Sequence, residues 1–382
     1  MCEGGLVIPR RSFLALAALP GTPGWASNAP RLQFPRDFGA HPHTRLEWWY
    51  LTGVLHALAD ATNPAASPAF GYQLTFFRVQ GPAPAGHPSA LAARQVLIGH
   101  AALSDLRQGQ LLHDQRLARA YPRVAEAREG DCHVQMRDWL LRRETSEGDA
   151  AAGPSRYVAR FQGQSHGQRF ALELTLQCPQ PVLLQGVDGL SKKGPGADQF
   201  SHYYSQVQMR TQASLRLGGQ TQDLLGLSWL DQEWSDQLLG DPSAPQEQAV
   251  GWDWAGINLL DGSALTVFRL RRADGSTLWS GGSWRSSQGV QRNFAPSEVR
   301  LQPLRHWRSA GSSAEYPVAW LIQCPAGEFK LSALLDAQEV DARMSTGMRY
   351  WEGVASLSKP SGERLGLGYL EMTGYAGRMR LG

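Results

Sequence analysis

Lysine is nearly missing from this chain: of 37 basic residues in 382, only Lys192, Lys193, Lys330 and Lys359 are lysine. The arginines are scattered and matched by 34 acids, so the net charge is only +3 and no basic stripe forms. A nucleic-acid partner is therefore not expected. Long hydrophobic runs are missing as well, and no segment approaches the roughly 20 apolar residues of a membrane-spanning helix. Cysteine is sparse, and Cys132, Cys178 and Cys324 are too far apart for a Cys-x-x-Cys zinc motif. One disulfide plus a free thiol, or three buried thiols, both fit that spacing. A serine nucleophile is not indicated, and no Gly-x-Gly-x-x-Gly run opens a helix to cradle phosphate. His41-Pro42-His43 holds two imidazoles on one side of an extended segment, but no third ligand follows at a diagnostic spacing. A capping or hydrogen-bonding role is expected there, and no metal.

What is abundant is tryptophan and glycine, 13 and 41 residues, in a chain that is 42% hydrophobic and 19% charged. This is the composition of a folded protein made of strands and turns, and it predicts an all-β fold with few short helices. Short apolar runs recur between Gly, Pro, Asp and Ser clusters: residues 48–55, 70–79, 96–103, 157–161, 170–176, 203–209 and 225–229, then 252–259, 264–270, 318–323, 351–357 and 367–373. Residues 59–69, 81–93 and 146–154 read as loops. Leu111 to Ala127 has some helical composition, which Pro122 interrupts. The length predicts two domains. An internal echo agrees: Trp48-Trp49-Tyr50-Leu51-Thr52-Gly53 then Leu74-Thr75-Phe76-Phe77-Arg78 is matched by Trp252-Asp253-Trp254-Ala255-Gly256 then Leu265-Thr266-Val267-Phe268-Arg269. The polar stretch from Asp236 to Gln248, with Pro242 and Pro245, suits the boundary, giving domains at 31–236 and 249–382.

At the N-terminus, Arg10-Arg11-Ser12-Phe13-Leu14 leads into a short apolar run and a small-residue exit at Ala26. Residues 1–26 resemble a twin-arginine export signal, which implies a periplasmic protein.

Three tracts set acids among aromatics: Glu47-Trp48-Trp49-Tyr50, Trp229-Leu230-Asp231-Gln232-Glu233-Trp234 and Gly251-Trp252-Asp253-Trp254. On a strand, Glu47 and Trp49 share one face while Trp48 and Tyr50 share the other; Trp229, Asp231 and Glu233 share a face; and Asp253 points away from Trp252 and Trp254. A carboxyl walled by aromatics has its ionised form disfavoured and can donate a proton near neutral pH. The ring faces can stabilise a cation by about 0.5–2 kcal/mol per contact. Protonation of an alkene needs both properties. The same acids could equally be structural groups paired with arginine. His202-Tyr203-Tyr204-Ser205 offers a proton relay or a half-buried strand.

These motifs, together with Tyr350-Trp351-Glu352-Gly353 and Gly368-Tyr369-Leu370-Glu371-Met372-Thr373-Gly374-Tyr375, resemble the AttH and hydroxyneurosporene synthase (carotenoid 1,2-hydratase) family, related to tocopherol cyclase and to fungal Diels-Alderases. The resemblance implies two tandem lipocalin-like β-barrel or sandwich domains with an apolar ligand site in or between them, and no cofactor. It leaves two readings of the site. In the first, Asp231, Glu233 or Asp253 protonates an isoprenoid or polyene that is then hydrated or cyclised, in a pocket lined by Trp49, Tyr203, Tyr204, Trp229, Trp252 and Trp254. In the second, the same cavity carries a lipid-like molecule for an ABC-type export system. Sugar stacking on exposed tryptophans is a third, weaker reading.

Overall fold

The computed structural model describes residues 31–379 except 62, 64, 65, 85, 90, 91, 145–154 and 241–247. The export segment and Cys2 lie outside the described residues. Strands account for almost everything that is ordered, and all of their pairings are antiparallel.

The first sheet contains β1 (Leu46–Ala57), β2 (Phe70–Gln80), β3 (Gln95–Asp105), β4 (Gln110–Arg119), β5 (Ala125–Ala127), β6 (His133–Met136), β7 (Trp139–Glu144), β8 (Ser155–Ser165), β9 (Gln168–Cys178), β10 (Leu183–Leu184), β11 (Leu190–Lys192), β12 (Phe200–Leu217) and β13 (Gln220–Ser235). Their spatial order is β4-β3-β2-β1-β13-β12-β9-β8-β7-β6-β5, with β10 and β11 alongside β12. The sheet curls nearly into a barrel: Tyr121 pairs with Ala125, and Arg116 lies 4.2 Å over the Trp139 ring while donating to Met136 O at 2.8 Å.

The second sheet contains β14 (Gly251–Leu259), β15 (Ala264–Arg271), β16 (Thr277–Arg285), β17 (Gln291–Phe294), β18 (Arg300–Arg308), β19 (Glu315–Cys324), β20 (Gly327–Ala333), β21 (Glu339–Ala342), β22 (Met348–Ser358) and β23 (Arg364–Met372). They run in the order β17-β16-β15-β14-β23-β22-β20-β19-β18, with β21 beside β22. A single α-helical turn, α1 (Arg343–Thr346), and 3₁₀ turns at Arg36–Phe38 and Pro296–Glu298 are the helical elements described. The fold is all-β with two lipocalin-like units.

The segment with helical composition, Leu111 to Ala127, is instead β4 and β5, with Pro122 in the turn between them. Tertiary pairing decides this: β3 offers β4 a full ladder of backbone partners, and Leu112 enters the core.

Strand alternation sorts the side chains. From β1, Trp49, Leu51 and Leu55 enter the first barrel, whereas Tyr50 and Val54 face out. From β14, Ala255, Ile257 and Leu259 fill the second sheet's core, whereas Trp254 faces out. The outward faces meet, and Tyr50, Trp229, Val207, Trp254, Phe268, Val354 and Tyr369 form a shared apolar seam. Burying such side chains contributes roughly 1.5–3 kcal/mol each, so the seam holds the barrels together.

Polar bonds fix the register of that seam. Ser104 Oγ donates to Gln338 Oε1 at 2.7 Å, and Gln185 Nε2 donates to Thr266 Oγ1 at 3.0 Å. A bulge in β12 holds Gln208 at φ +54, so that its backbone N–H reaches Asn258 Oδ1 at 2.8 Å and its side chain reaches Ser263 O at 2.6 Å. The three described cysteines are free thiols, with Cys132 and Cys178 buried.

Candidate functional site

The acid-and-aromatic faces of both barrels converge at one end of the seam, around a cavity of about 60 Å³. Asp231 and Glu233 enter from β13, Tyr203 from β12, and Trp48 and Tyr50 from β1. The second sheet contributes Trp252 and Trp254 from β14, Phe268 from β15, Tyr350 and Glu352 from β22, and Glu371 from β23. Trp48 and Trp252 are only half-buried, with ring planes 10° apart and centroids at 6.5 Å, and they flank the cavity on its solvent side.

Glu352 and Glu371 stand directly opposite each other in the β22–β23 ladder, Glu352 buried and Glu371 half-buried on the cavity wall. Burial pushes Glu371 up to about 7, against a hydrogen bond from Trp252, and the charges of Asp231 and Glu233 push it further. Burial and the facing Glu371 hold Glu352 well above the carboxylate range. Two facing carboxyls in a dry site cannot both ionise, so the pair retains a proton at neutral pH. Glu352 Oε1 and Tyr50 Oη, both buried on the cavity wall, have no hydrogen-bond partner among the described residues. Buried polar atoms are rarely left so, which marks a position for a water or a ligand oxygen.

Opposite this pair, Asp231 accepts from Ser205 Oγ at 2.6 Å, Trp229 Nε1 at 2.6 Å and Tyr203 Oη at 2.8 Å. Burial outweighs these three bonds and raises it to about 7. Glu233 pairs with Lys193 Nζ at 2.9 Å and accepts from Ser201. The Lys193 ammonium also lies 4.3 Å from the Phe268 ring centroid and 4.7 Å from that of Tyr203, so ring faces that can attract a cation are already arranged there.

Of the residues singled out from sequence, the structure thus brings together Asp231, Glu233, Tyr203, Trp252 and Trp254, with Trp229 behind Asp231. Three others do not join them, which corrects the expected grouping. Trp49 and Tyr204 point into the first barrel's core. Asp253 points into the second, where Arg269 Nε at 2.6 Å, Arg271 Nε at 3.0 Å and the Tyr375 hydroxyl at 2.9 Å hold it. Alternation is the reason: Asp253 lies between two tryptophans that face the seam, and Trp49 between Trp48 and Tyr50, which do the same. Sequence reasoning passed over Tyr50, Glu352, Glu371 and Lys193. Glu352 and Glu371 carried the same signal as the chosen acids, a carboxyl beside aromatics at strand spacing.

His41 and His43 lie with ring centroids 6.2 Å apart but do not act as a pair of free ligands. His41 directs Nδ1 to Glu47 Oε1 at 2.7 Å and Nε2 to Asp37 Oδ1 at 3.3 Å, and stacks 3.6 Å from Trp234. Both ring nitrogens are occupied, and no group of three potential metal ligands occurs among the described residues.

Over residues 26–375 the sequence matches the AttH-like family. The chain belongs to that family. It is similar to a putative AttH from Nitrosomonas europaea of known structure, at 40% identity over 91% of this chain and 98% of that one, with a TM-score of 0.78. It shares its fold with kievitone hydratase from Nectria haematococca, at 14% identity over 92% of this chain and 95% of that one, with a TM-score of 0.62. A structure of CghA with Sch210972 matches at 12% identity over 89% and 90%, with a TM-score of 0.50. No curated protein sequence matches significantly. With AttH the likeness spans both sheets, so the seam between them belongs to the shared architecture.

Proposed function

We propose that the chain takes the unsaturated end of an apolar, isoprenoid-like molecule into the seam and protonates it without a cofactor, as in a carotenoid 1,2-hydratase. The facing pair of buried Glu352 and half-buried Glu371 carries this reading. The Glu352 carboxyl delivers its proton to the terminal alkene carbon, and the cation that forms on the neighbouring carbon lies among Tyr50, Trp254 and Phe268. A water held between Tyr50 Oη and Glu352 Oε1 adds to that cation. The proton it sheds passes to Glu371, so the pair again holds one proton and the product has gained one water.

Cavity size favours chemistry over carriage. Pockets that enclose a whole drug-sized ligand measure roughly 300–1,000 Å³, whereas about 60 Å³ admits only a terminal group. The rest of the ligand would lie outward past Trp48 and Trp252. The Arg10-Arg11 leader supports export to the periplasm, where ABC-type components are candidate partners; recovery of mature, active protein solely from the cytosol on cell fractionation would argue against this.

The deciding assay incubates the protein with lycopene, squalene and geraniol in D₂O enriched in ¹⁸O and weighs the products. Wild type should add one deuterium and one ¹⁸O to at least one substrate, and Glu352→Gln and Glu371→Gln should each lose about 10²-fold or more of that rate. Undiminished turnover in both variants would refute the assignment.

A further inference from the structure

A second polar feature reaches the carboxyl pair from outside the cavity. His100, on β3 of the first sheet, is 2% exposed and lies between two hydroxyls of the second unit: Tyr350 Oη is 2.8 Å from Nδ1, and Ser345 Oγ of α1 is 2.8 Å from Nε2. Tyr350 is two residues from Glu352 on the same strand face, and both side chains line the cavity. At the other end, Ser345 is only half-buried and donates to Gln115 Oε1 at 2.7 Å.

The direction of these bonds can be read from the outer end. Gln115 Nε2 donates to Asp341 O at 2.8 Å, and Ser345 N donates to Gln115 Oε1 at 2.9 Å, which fixes which amide atom faces Ser345. The Ser345 hydroxyl has one hydrogen, and its best acceptor is that carbonyl oxygen, so it receives from His100 Nε2–H. Nδ1 is then bare and receives from the Tyr350 hydroxyl, whose oxygen is left free to accept from a protonated Glu352. Burial and the nearby His113 keep His100 neutral, holding it down to about 3, as this arrangement requires. Every hydrogen from Tyr350 to Gln115 is thereby accounted for.

We infer that His100 is the relay residue of a proton path, Glu352–Tyr350–His100–Ser345, that crosses the seam and joins the buried carboxyl pair to solvent. A proton leaving Glu352 goes to Tyr350 as the Tyr350 proton moves to His100 Nδ1, the Nε2 proton moves to Ser345 Oγ, and the Ser345 hydroxyl, turning from Gln115, gives its own proton to a solvent water; the reverse sequence reloads Glu352. The imidazole suits this because it accepts at one nitrogen and donates from the other. The path lets the pair equilibrate with solvent while a ligand fills the cavity. His100 touches neither ligand nor reacting atoms.

This inference rests on the reading of Glu352 as proton-bearing, and one infrared experiment separates the two. Among the carbonyl bands of protonated carboxyls, one present in the wild type should be lost in Glu352→Gln, the Asp231 and Glu371 contributions being identified by Asp231→Asn and Glu371→Gln. On dilution into D₂O that band should shift slower, by about tenfold or more, in His100→Gln and Tyr350→Phe, equivalent to a barrier raised by about 1.4 kcal/mol. His100→Gln keeps a hydrogen-bonding side chain that cannot relay a proton, and Tyr350→Phe decides the matter should that variant not fold. Exchange as fast as wild type in the folded variants overturns the relay alone. No band lost in Glu352→Gln overturns the proton-donor reading and the relay with it.

Discussion

Tyr203 of the first barrel and Trp254 of the second meet across the seam: Trp254 Nε1 donates to Tyr203 Oη at 3.1 Å, and that hydroxyl donates onward to Asp231 at 2.8 Å. One tyrosine thus ties the docking of the barrels to the surroundings of a buried acid. Because Asp231 is already encircled by three donors, it is better placed to orient the wall than to reach a ligand. Glu352, with an unpartnered oxygen, is the freer group.

The stability contributed by Asp231 and Glu371 should fall as pH rises from about 4 to about 7, against the opposite trend of the buried His100, which is held neutral in the folded chain. Asp231 and Glu371 are raised to about 7 in the folded chain, against roughly 3.9 and 4.3 when unfolded. At these two groups the folded state therefore binds more protons than the unfolded one in this window, and their ionisation costs stability as pH climbs through it. His41, raised by its carboxylate partners against the effect of burial, acts in the same direction, its contribution being lost as pH passes its folded value. Thermal melts of wild type and Glu371→Gln should diverge over this window, the wild-type Tm falling relative to that of the variant as pH climbs. A Tm difference that does not change with pH would count against the proton-bearing pair.

Arg78→Met should be severely destabilising. The Arg78 side chain is fully buried, bonded to Glu47 Oε2 at 2.9 Å and to the Thr44 and His41 carbonyls at 2.9 and 2.8 Å. Removing it strands Glu47 with too little compensation, at a cost of about 3–5 kcal/mol. Urea unfolding measures this, and a loss below 1 kcal/mol would mean the cluster relaxes or admits water.

Asp253→Asn should separate structure from chemistry. Arg269 and Arg271 would lose their buried counter-ion, again at a cost of about 3–5 kcal/mol. The isotope-incorporation rate per folded molecule should be unchanged, since this carboxyl opens into the second barrel. A rate loss like that of Glu371→Gln would return Asp253 to the active machinery.

Gly256→Ala should disturb the site from behind. A Cβ there would lie 2.4 Å from Trp254 Cη2 and 3.0 Å from Trp229 Cε2, so both indoles must shift. Overpacking of this kind costs about 1–3 kcal/mol. The near-ultraviolet circular dichroism of the tryptophans should change and ligand turnover fall. An unaltered spectrum would show that the seam yields easily.

Much of the site was written in the strand pattern. Alternation in Glu47-Trp48-Trp49-Tyr50 already placed Trp48 and Tyr50 on a common face, and in Gly251-Trp252-Asp253-Trp254 it turned Asp253 away from its tryptophans. What alternation leaves open is which face looks at the partner barrel. For Trp49 that choice went to the core, and for Tyr50 to the cavity. The carboxyl pair was beyond reach for a related reason: Glu352 and Glu371 meet only through the β22–β23 register, and face Asp231 only because two barrels dock.

Composition and period, which act locally, were enough to specify strands, their inward and outward residues, and a chain built of two β units. Whether an outward residue meets water or another barrel depends on contacts between segments far apart in the chain, such as Tyr203 with Trp254, 51 residues on, and His100 with Tyr350, 250 residues on. Desolvation arises from those contacts, and it is desolvation that turns ordinary carboxylates into proton-bearing acids. Their chemistry was therefore decided by tertiary packing.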